Sequence, residues 1–455
     1  MKNKILSNFL AITPLDGRNY HKIPFLSDYF SEFALNKQRL AIEIKYLIFL
    51  SQQNIAPKLS FAQQRRLAQL VQNFDLTQMK KINLIEKKFN HETKAVEYYL
   101  KSELKKLGLE NCTEFVHWAL TSEDINNLAT SISLQQYFKN HLFKEISATH
   151  QALTGVIKTS AFPIVGRTHG QPASITTLAK ELVVYLARLQ TRFALLQSVQ
   201  LEGKLNGAVG SFWDQYFVLP QKNWLKLAQI FIKQLALKPV AATTQILPYD
   251  SYLLLFSHLS HLQNIAIDLC QNLWQYTSLN YLKQQNIARE VGSSVMPQKI
   301  NPIYLEGAEG GFELSNALLD FYSRKLSKSR LQRDLSDSTV RRSFGIALGY
   351  SHLSWQSLTQ GINRLSPNPK QARLDIDQHW EIFGSAIQTY LRLHHYHQPY
   401  EIISKKLKGK TLTRDQFMSL IDSLQLPPKE AKKLRSLTPE KIIKPTTQIV
   451  QSVLK

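Results

Sequence analysis

Two long segments lack both glycine and proline, and apolar residues recur in them every three or four positions. Across Ala173–Glu202, 30 residues, Leu178, Leu182, Leu186, Leu189, Phe193, Leu196 and Val199 mark one face. Across Tyr249–Val291, 43 residues, Phe256, Leu259, Leu262, Ile265, Ala266, Leu269, Leu273 and Tyr276 do the same. Both read as amphipathic or largely buried helices. At 1.5 Å rise per residue, 30 residues make a helix about 45 Å long, which needs long partners to cover its stripe. A helix bundle with subunit association follows. Two further helices are predicted over 303–328 and 337–363; Gly307, Gly310 and Gly311 weaken the first or let a neighbour pack closely. Strand patterning is scarce, with Ile164-Val165-Gly166 and Phe217-Val218-Leu219 the best candidates.

The fold class is therefore mainly α. Ser366-Pro367-Asn368-Pro369 is the clearest linker signal. Three helical domains are expected: 1–112, a central long-helix bundle over 113–364, and 365–455. No internal repeat or low-complexity segment is visible.

Composition narrows the setting. The chain has 455 residues, 44% of them hydrophobic, enough for a large core. Two cysteines, Cys112 and Cys270, exclude a disulfide framework or a cysteine-based metal site and fit a reducing cytoplasm. Ser7 and Asn8 break the N-terminal apolar run, so no signal peptide is expected. No stretch approaches the roughly 18 apolar residues of a membrane span. Lys+Arg 56 against Asp+Glu 34 gives +22, but the excess is spread along the chain with only a C-terminal rise in lysine density. An anionic small-molecule substrate accounts for it as well as nucleic acid would, and no specific nucleic-acid partner is expected.

The densest chemistry lies at 292–306, Gly-Ser-Ser-Val-Met-Pro-Gln-Lys-Ile-Asn-Pro-Ile-Tyr-Leu-Glu. Ser293 and Ser294 follow a glycine that frees the backbone, and Lys299 supplies a fixed cation. Asn301-Pro302 reads as a helix start, with Asn as N-cap and Pro at the first helical position. A loop leading into a helix N-terminus beside a cation can bind carboxylates and lower a nearby hydroxyl pKa. Arg167-Thr168-His169-Gly170-Gln171-Pro172 places a histidine on a turn ahead of the Ala173 helix, suited to proton transfer at neutral pH. Thr121 and Ser122 lie at a turn before a helix that carries Asp124 in its first turn, where hydroxyls and N–H groups can hold a carboxylate.

Gly-Ser-Ser-x-Met-Pro-x-Lys-x-Asn-Pro resembles the signature of the fumarase/aspartase superfamily, which releases fumarate by cleaving C–N or C–O bonds. The His169 and Thr121–Asn126 blocks resemble two others of that superfamily. Asn90-His91-Glu92-Thr93-Lys94-Ala95-Val96-Glu97 and Arg330-Leu331-Gln332-Arg333-Asp334-Leu335-Ser336-Asp337-Ser338 are similar to blocks of its adenylosuccinate lyase branch, although Glu92 stands where aspartate is more usual. The resemblance runs from about residue 10 to the C-terminus.

It implies elimination of fumarate from adenylosuccinate and from SAICAR, with Ser293 as general base and His169 as general acid. Lys299, Asn301 and Met296 then belong to the signature loop at the substrate carboxylates, with Thr121 and Ser122. His91, flanked by Asn90 and Glu92, supports His169. Arg330, Arg333, Ser338 and Arg342 suit the nucleotide phosphate. Arg18 and Asn19, from a turn resembling Asp-Gly-Arg-Tyr, join that site, and Gln245 of Thr243-Thr244-Gln245 is a further contact. The resemblance also implies a homotetramer whose active sites each draw on three chains. The implied chemistry needs no redox carrier and no cofactor is expected. His394-His395-Tyr396-His397 reads as a helix end, so no metal is expected either. The alternatives are argininosuccinate lyase or another fumarate-releasing relative, and a non-catalytic basic protein with a lyase fold.

Overall fold

In a computed structural model, residues 9–455 are described except Arg289, Val291 and Ser293. The chain is mainly helical. Its long helices are α1 (Glu32–Gln52), α2 (Leu76–Phe89), α3 (Glu92–Lys106), α4 (Ser122–Tyr137), α5 (Phe143–Thr159), α6 (Leu178–Ser198), α7 (Asp250–Ser278), α8 (Ile303–Leu326) and α9 (Phe344–Asn363). Two compact units form: Met1–Lys144 with Ala194–His261 and Gly311–Leu353, and Glu145–Phe193 with Leu262–Gly310 and Ser354–Lys455.

In the first unit, helix starts are set by side chains that satisfy exposed backbone donors. Ser31 Oγ accepts from Ala34 N at α1. Asp75 and Gln78 form a reciprocal capping box at α2. The α1 stripe packs against α3 and α4. Leu40, Leu47 and Leu50 of α1, Leu100 of α3 and Leu128 of α4 are fully buried, each contributing about 1.5–3 kcal/mol. The α1 interface is not wholly apolar: Asn36, Arg39 and Glu43 are buried at three- and four-residue spacing along it.

In the second unit, β1 (Pro163–Thr168) and β2 (Gln171–Thr177) form an antiparallel hairpin with a register irregularity at Gly166/Arg167. Val165 enters an apolar core built mainly from the C-terminal helices, with Ile376, Trp380, Phe383, Phe417 and Ile421.

Four expected boundaries move. Residues 173–177 are strand rather than helix, because the β-branched Ile175, Thr176 and Thr177 pair with Val165, Ile164 and Pro163. The helix begins at Leu178. The segment expected to be helical to Val291 stops at Ser278: Asn280 takes a left-handed φ of 58° and Tyr281 N bonds back to Tyr276 O at 2.9 Å, a Schellman-type close. The 337–363 segment divides into Ser336–Arg341 and α9 around Ser343, whose Oγ bonds to Val340 O at 2.7 Å. Phe217-Val218, read as strand, closes a short helix, Trp213–Val218. The strand at 164–166 is found, as part of β1.

Candidate active site

The first unit contains a cavity of about 770 Å³ that gathers predicted residues from separate stretches of sequence. Asn90, His91, Glu92, Thr121, Ser122, Gln245, Arg333, Ser338 and Arg342 all line it. Each is placed by a helix end or a short turn. Asn90 closes α2 in a left-handed conformation, φ 50°. His91 caps α3, its Nδ1 accepting from Lys94 N at 3.1 Å. That bond leaves Nε2 as the proton-bearing nitrogen of the neutral ring. Thr121 precedes α4, and Asp124 Oδ2 accepts from Thr121 N at 2.9 Å.

Asp124 is fully buried. Its carboxylate also accepts from Asn206 N (3.1 Å) and Gly207 N (3.2 Å) and pairs with the fully buried Lys204 Nζ at 3.0 Å. One carboxylate thus joins the Thr121–Ser122 turn to the 204–207 loop. From there the link runs on to Gln245, whose Nε2 donates to Ala208 O at 3.0 Å.

The cavity wall is a lattice of ion pairs. Glu92 bridges Arg39 (2.9 Å) and Arg342, while Arg342 also holds Glu32 (3.0 Å) and donates to Ser338 Oγ (2.7 Å). Glu123 takes Arg341 (2.8 Å), Arg333 (3.4 Å) and Asn126 Nδ2 (2.9 Å). Arg39 Nε donates to Asn126 Oδ1 at 2.8 Å, which links the two clusters. Burial alone would raise both carboxyl pKa values. The arginines outweigh it, lowering Glu92 below the ordinary range and Glu123 to about 2. Glu92 reaches two guanidiniums at once.

Arg39, Arg341, Glu123 and Glu32 also line the cavity and were not picked out from the sequence. The signal was present in the buried polar positions of α1 and in the neighbours of Ser122 and Arg342. The lining carries Arg39, Arg333, Arg341 and Arg342 against Glu32, Glu92, Glu123 and Asp334, four charges of each sign.

Three predicted residues of this unit do not line the cavity. Arg18 is exposed, Asn19 N donates to Pro14 O at 2.8 Å in the 14–19 turn, and Arg330 is exposed with its N–H on Asp334 Oδ2 (3.2 Å).

The remaining candidates belong to the second unit. His169 stands at the hairpin tip rather than ahead of a helix. His169 and Gly170 have φ of 52° and 74°, the two positive values that a tight two-residue hairpin turn requires. Its side chain is exposed. Met296 and Lys299 are exposed on the strap before α8, with Lys299 N on Met296 O at 3.1 Å. Asn301 is not the N-cap: α8 starts at Ile303, Pro302 O accepts the first helical N–H, and Asn301 Nδ2 donates to Gly292 O at 3.1 Å. The amide side chain therefore closes the strap instead of capping the helix. Ser293 lies outside the described residues.

Comparison with known proteins fits this architecture. A solved fumarate lyase from Mesorhizobium sp. BNC1 superposes with a TM-score of 0.76 at 16% identity, covering 94% of this chain and 97% of that one. The fold is that of a fumarate lyase. The family model "Lyase" matches residues 21–312 and "Adenylosuccinate lyase C-terminal" matches 329–443. The adenylosuccinate lyase of Legionella pneumophila (strain Corby) is 39% identical over 447 residues, 97% of this chain and 98% of the relative. That of Haemophilus influenzae is 37% identical over 453 residues, 98% and 99%. The chain belongs to the adenylosuccinate lyase family.

Proposed function

We propose that this chain eliminates fumarate from adenylosuccinate, giving AMP, and from SAICAR, giving AICAR, in purine nucleotide biosynthesis. The observation that carries this reading is the convergence on one cavity of nine expected site residues, eight substrate contacts and His91. Ser293 takes the proton from the carbon beside a substrate carboxylate. The electron pair of that C–H bond becomes the new C=C bond. The C–N pair leaves on nitrogen, which receives the proton of His169. An unassisted serine hydroxyl is too weak a base, so Lys299 and nearby N–H donors favour its anion. The carbanion carries charge onto its carboxylate, where Lys299, Asn301, Thr121 and Ser122 stabilise it. Arg333, Arg342 and Ser338, with Arg18, Asn19 and Arg330, serve the phosphate, and His91 with Asn90 and Glu92 supports the reacting end.

Equal numbers of cationic and anionic side chains line the cavity, whereas the substrate carries a phosphate and two carboxylates. Further cations must come from other segments, which supports shared sites in a homotetramer. Apolar side chains exposed on the long helices of a single chain, such as Leu254, Trp274, Leu314 and Phe321, support the same assembly. Buried, unpaired Cys112 and Cys270 agree with a cytoplasmic setting, and no described helix is long and apolar enough to cross a membrane. We retain the three-domain division at 112 and 364 as part of this reading.

Fumarate release from purified protein tests it. Turnover of adenylosuccinate and SAICAR is expected; turnover of argininosuccinate alone would favour the neighbouring branch. No turnover, with salt-sensitive binding of nucleic acid, would favour a non-catalytic basic protein.

A further inference from the structure

Behind the His169 turn, a carboxylate from the C-terminal part of the second unit holds the end of the hairpin nearest the turn. Asp375 Oδ2 pairs with Arg167 Nη2 at 2.7 Å and accepts from the hydroxyl of Tyr281. Arg167 Nη1 donates to Tyr281 Oη at 2.9 Å and back to Val165 O at 3.2 Å, which closes a three-membered ring of contacts. Tyr281 is 1% exposed. His379 Nε2 stands 3.6 Å from the other Asp375 oxygen, and His379 Nδ1 meets Glu381 at 2.9 Å.

Arg167 is two residues before His169 and sits at the register irregularity of the hairpin. Such an irregularity leaves a residue without a ladder partner and re-aims its neighbours, so something outside the ladder must fix them. The other face of β1 is fixed by Val165 in the apolar core. The turn itself holds a non-glycine residue, His169, at a positive φ, a conformation that surrounding structure must maintain.

We propose that Asp375 is a positioning residue for the reaction, holding Arg167 and Tyr281 so that the hairpin presents His169 in one orientation. This rests on the reading of His169 as proton donor and adds that the C-terminal helices orient it. Arg167 suits the task because its planar fork engages Asp375 and Tyr281 at once, which lysine could not do.

The test uses the full chain with Asp375→Asn, Arg167→Lys and Tyr281→Phe, alongside Asp377→Asn as a control on the same helix and His169→Ala as reference. Asp375→Asn and Arg167→Lys should lower kcat by on the order of 10- to 100-fold, the effect of roughly ångström misplacement. KM should stay within about twofold, because substrate contacts elsewhere are unaltered. Tyr281→Phe removes one oxygen and no bulk, so it stays informative if Asp375→Asn folds poorly; it should lower kcat several-fold (about 3- to 10-fold) at unchanged KM. Asp377→Asn should behave as the unaltered protein. Unchanged kcat in folded Asp375→Asn or Tyr281→Phe would overturn the inference while leaving the His169 assignment standing. So would a loss that merely tracks the folded fraction. Near-full activity of His169→Ala would instead overturn the general-acid reading and this inference with it.

Discussion

The hairpin that carries His169 and the strap that carries Ser293 and Lys299 belong to the same unit, yet they are held in different ways. The hairpin has a paired ladder from Pro163↔Thr177 to Thr168↔Gln171, a buried Val165 and a charged clamp at Arg167. Among the described residues of 285–302 there is no helix or strand, and Val295, Met296 and Lys299 are exposed. Among its described residues, Asn301 Nδ2 donates to Gly292 O, Lys299 N to Met296 O and Gln285 N to Arg364 O, and Glu290 pairs with Arg364. The hairpin buries its donors and acceptors in a ladder, whereas the described residues of the strap form no ladder. The acid proposed above, His169, needs a fixed orientation and sits on the braced element. The base proposed above, Ser293, precedes the exposed Lys299 by six positions in the strap sequence, and its anion needs cations or N–H donors around it.

The largest expected effect is loss of chemistry from either element. Ser293→Ala and His169→Ala should each lower kcat by on the order of 10²–10⁴-fold with the fold retained, read by fumarate release and circular dichroism. A large loss in only one would mean that a single element supplies the proton chemistry.

Next comes the cavity wall, a third, fully braced reference. Glu123 is 2% exposed, and its carboxyl sits at about 2 against an ordinary 4.5. Stabilisation from a lowered carboxyl is present above about 4.5 and disappears as pH falls through about 2. Glu123→Gln should therefore cost about 3 kcal/mol at neutral pH. Denaturant titrations at several pH values should show that difference shrinking below about pH 4.5. A constant difference across that range would mean that packing rather than charge holds the wall.

Two glycines sharpen the contrast at smaller magnitude. A Cβ at Gly292 would meet Lys299 O at 2.1 Å, so Gly292→Ala must reshape the strap. It should lower kcat by on the order of 10-fold or more while leaving the melting temperature almost unchanged, since little is buried there. At Gly166 a Cβ would lie 3.2 Å from Ser174 O and 3.3 Å from Thr176 Cγ2, within the ladder. Gly166→Ala should cost about 1–2 kcal/mol of stability, with a lesser effect on kcat. If the two variants exchanged signatures, the distinction between braced and open elements would fail.

Much of this was legible in the sequence. The apolar stripes of α6 and α7 located both helices, because a 3.6-residue period survives any tertiary arrangement. The ends were less visible. Residues 173–177 became strand because they found partners at 163–166, a long-range pairing that no local pattern contains. Asn301 was read as a cap because its residue type suits one, but the close approach of Gly292 to Lys299 gave its side chain another partner. The motif blocks located nine cavity residues. The ion lattice remained hidden because Arg39, Glu123 and Arg341 are meaningful only as neighbours in space. The Arg167–Asp375 clamp joins residues 208 positions apart.

The most direct measurement is steady-state fumarate release from adenylosuccinate by the unaltered chain and by Ser293→Ala at matched folded concentration, with nucleotide binding followed in parallel. The account predicts turnover by the first, a fall of at least about 100-fold in kcat for the second, and similar nucleotide affinity for both. Fumarate release by Ser293→Ala at the unaltered rate would contradict it.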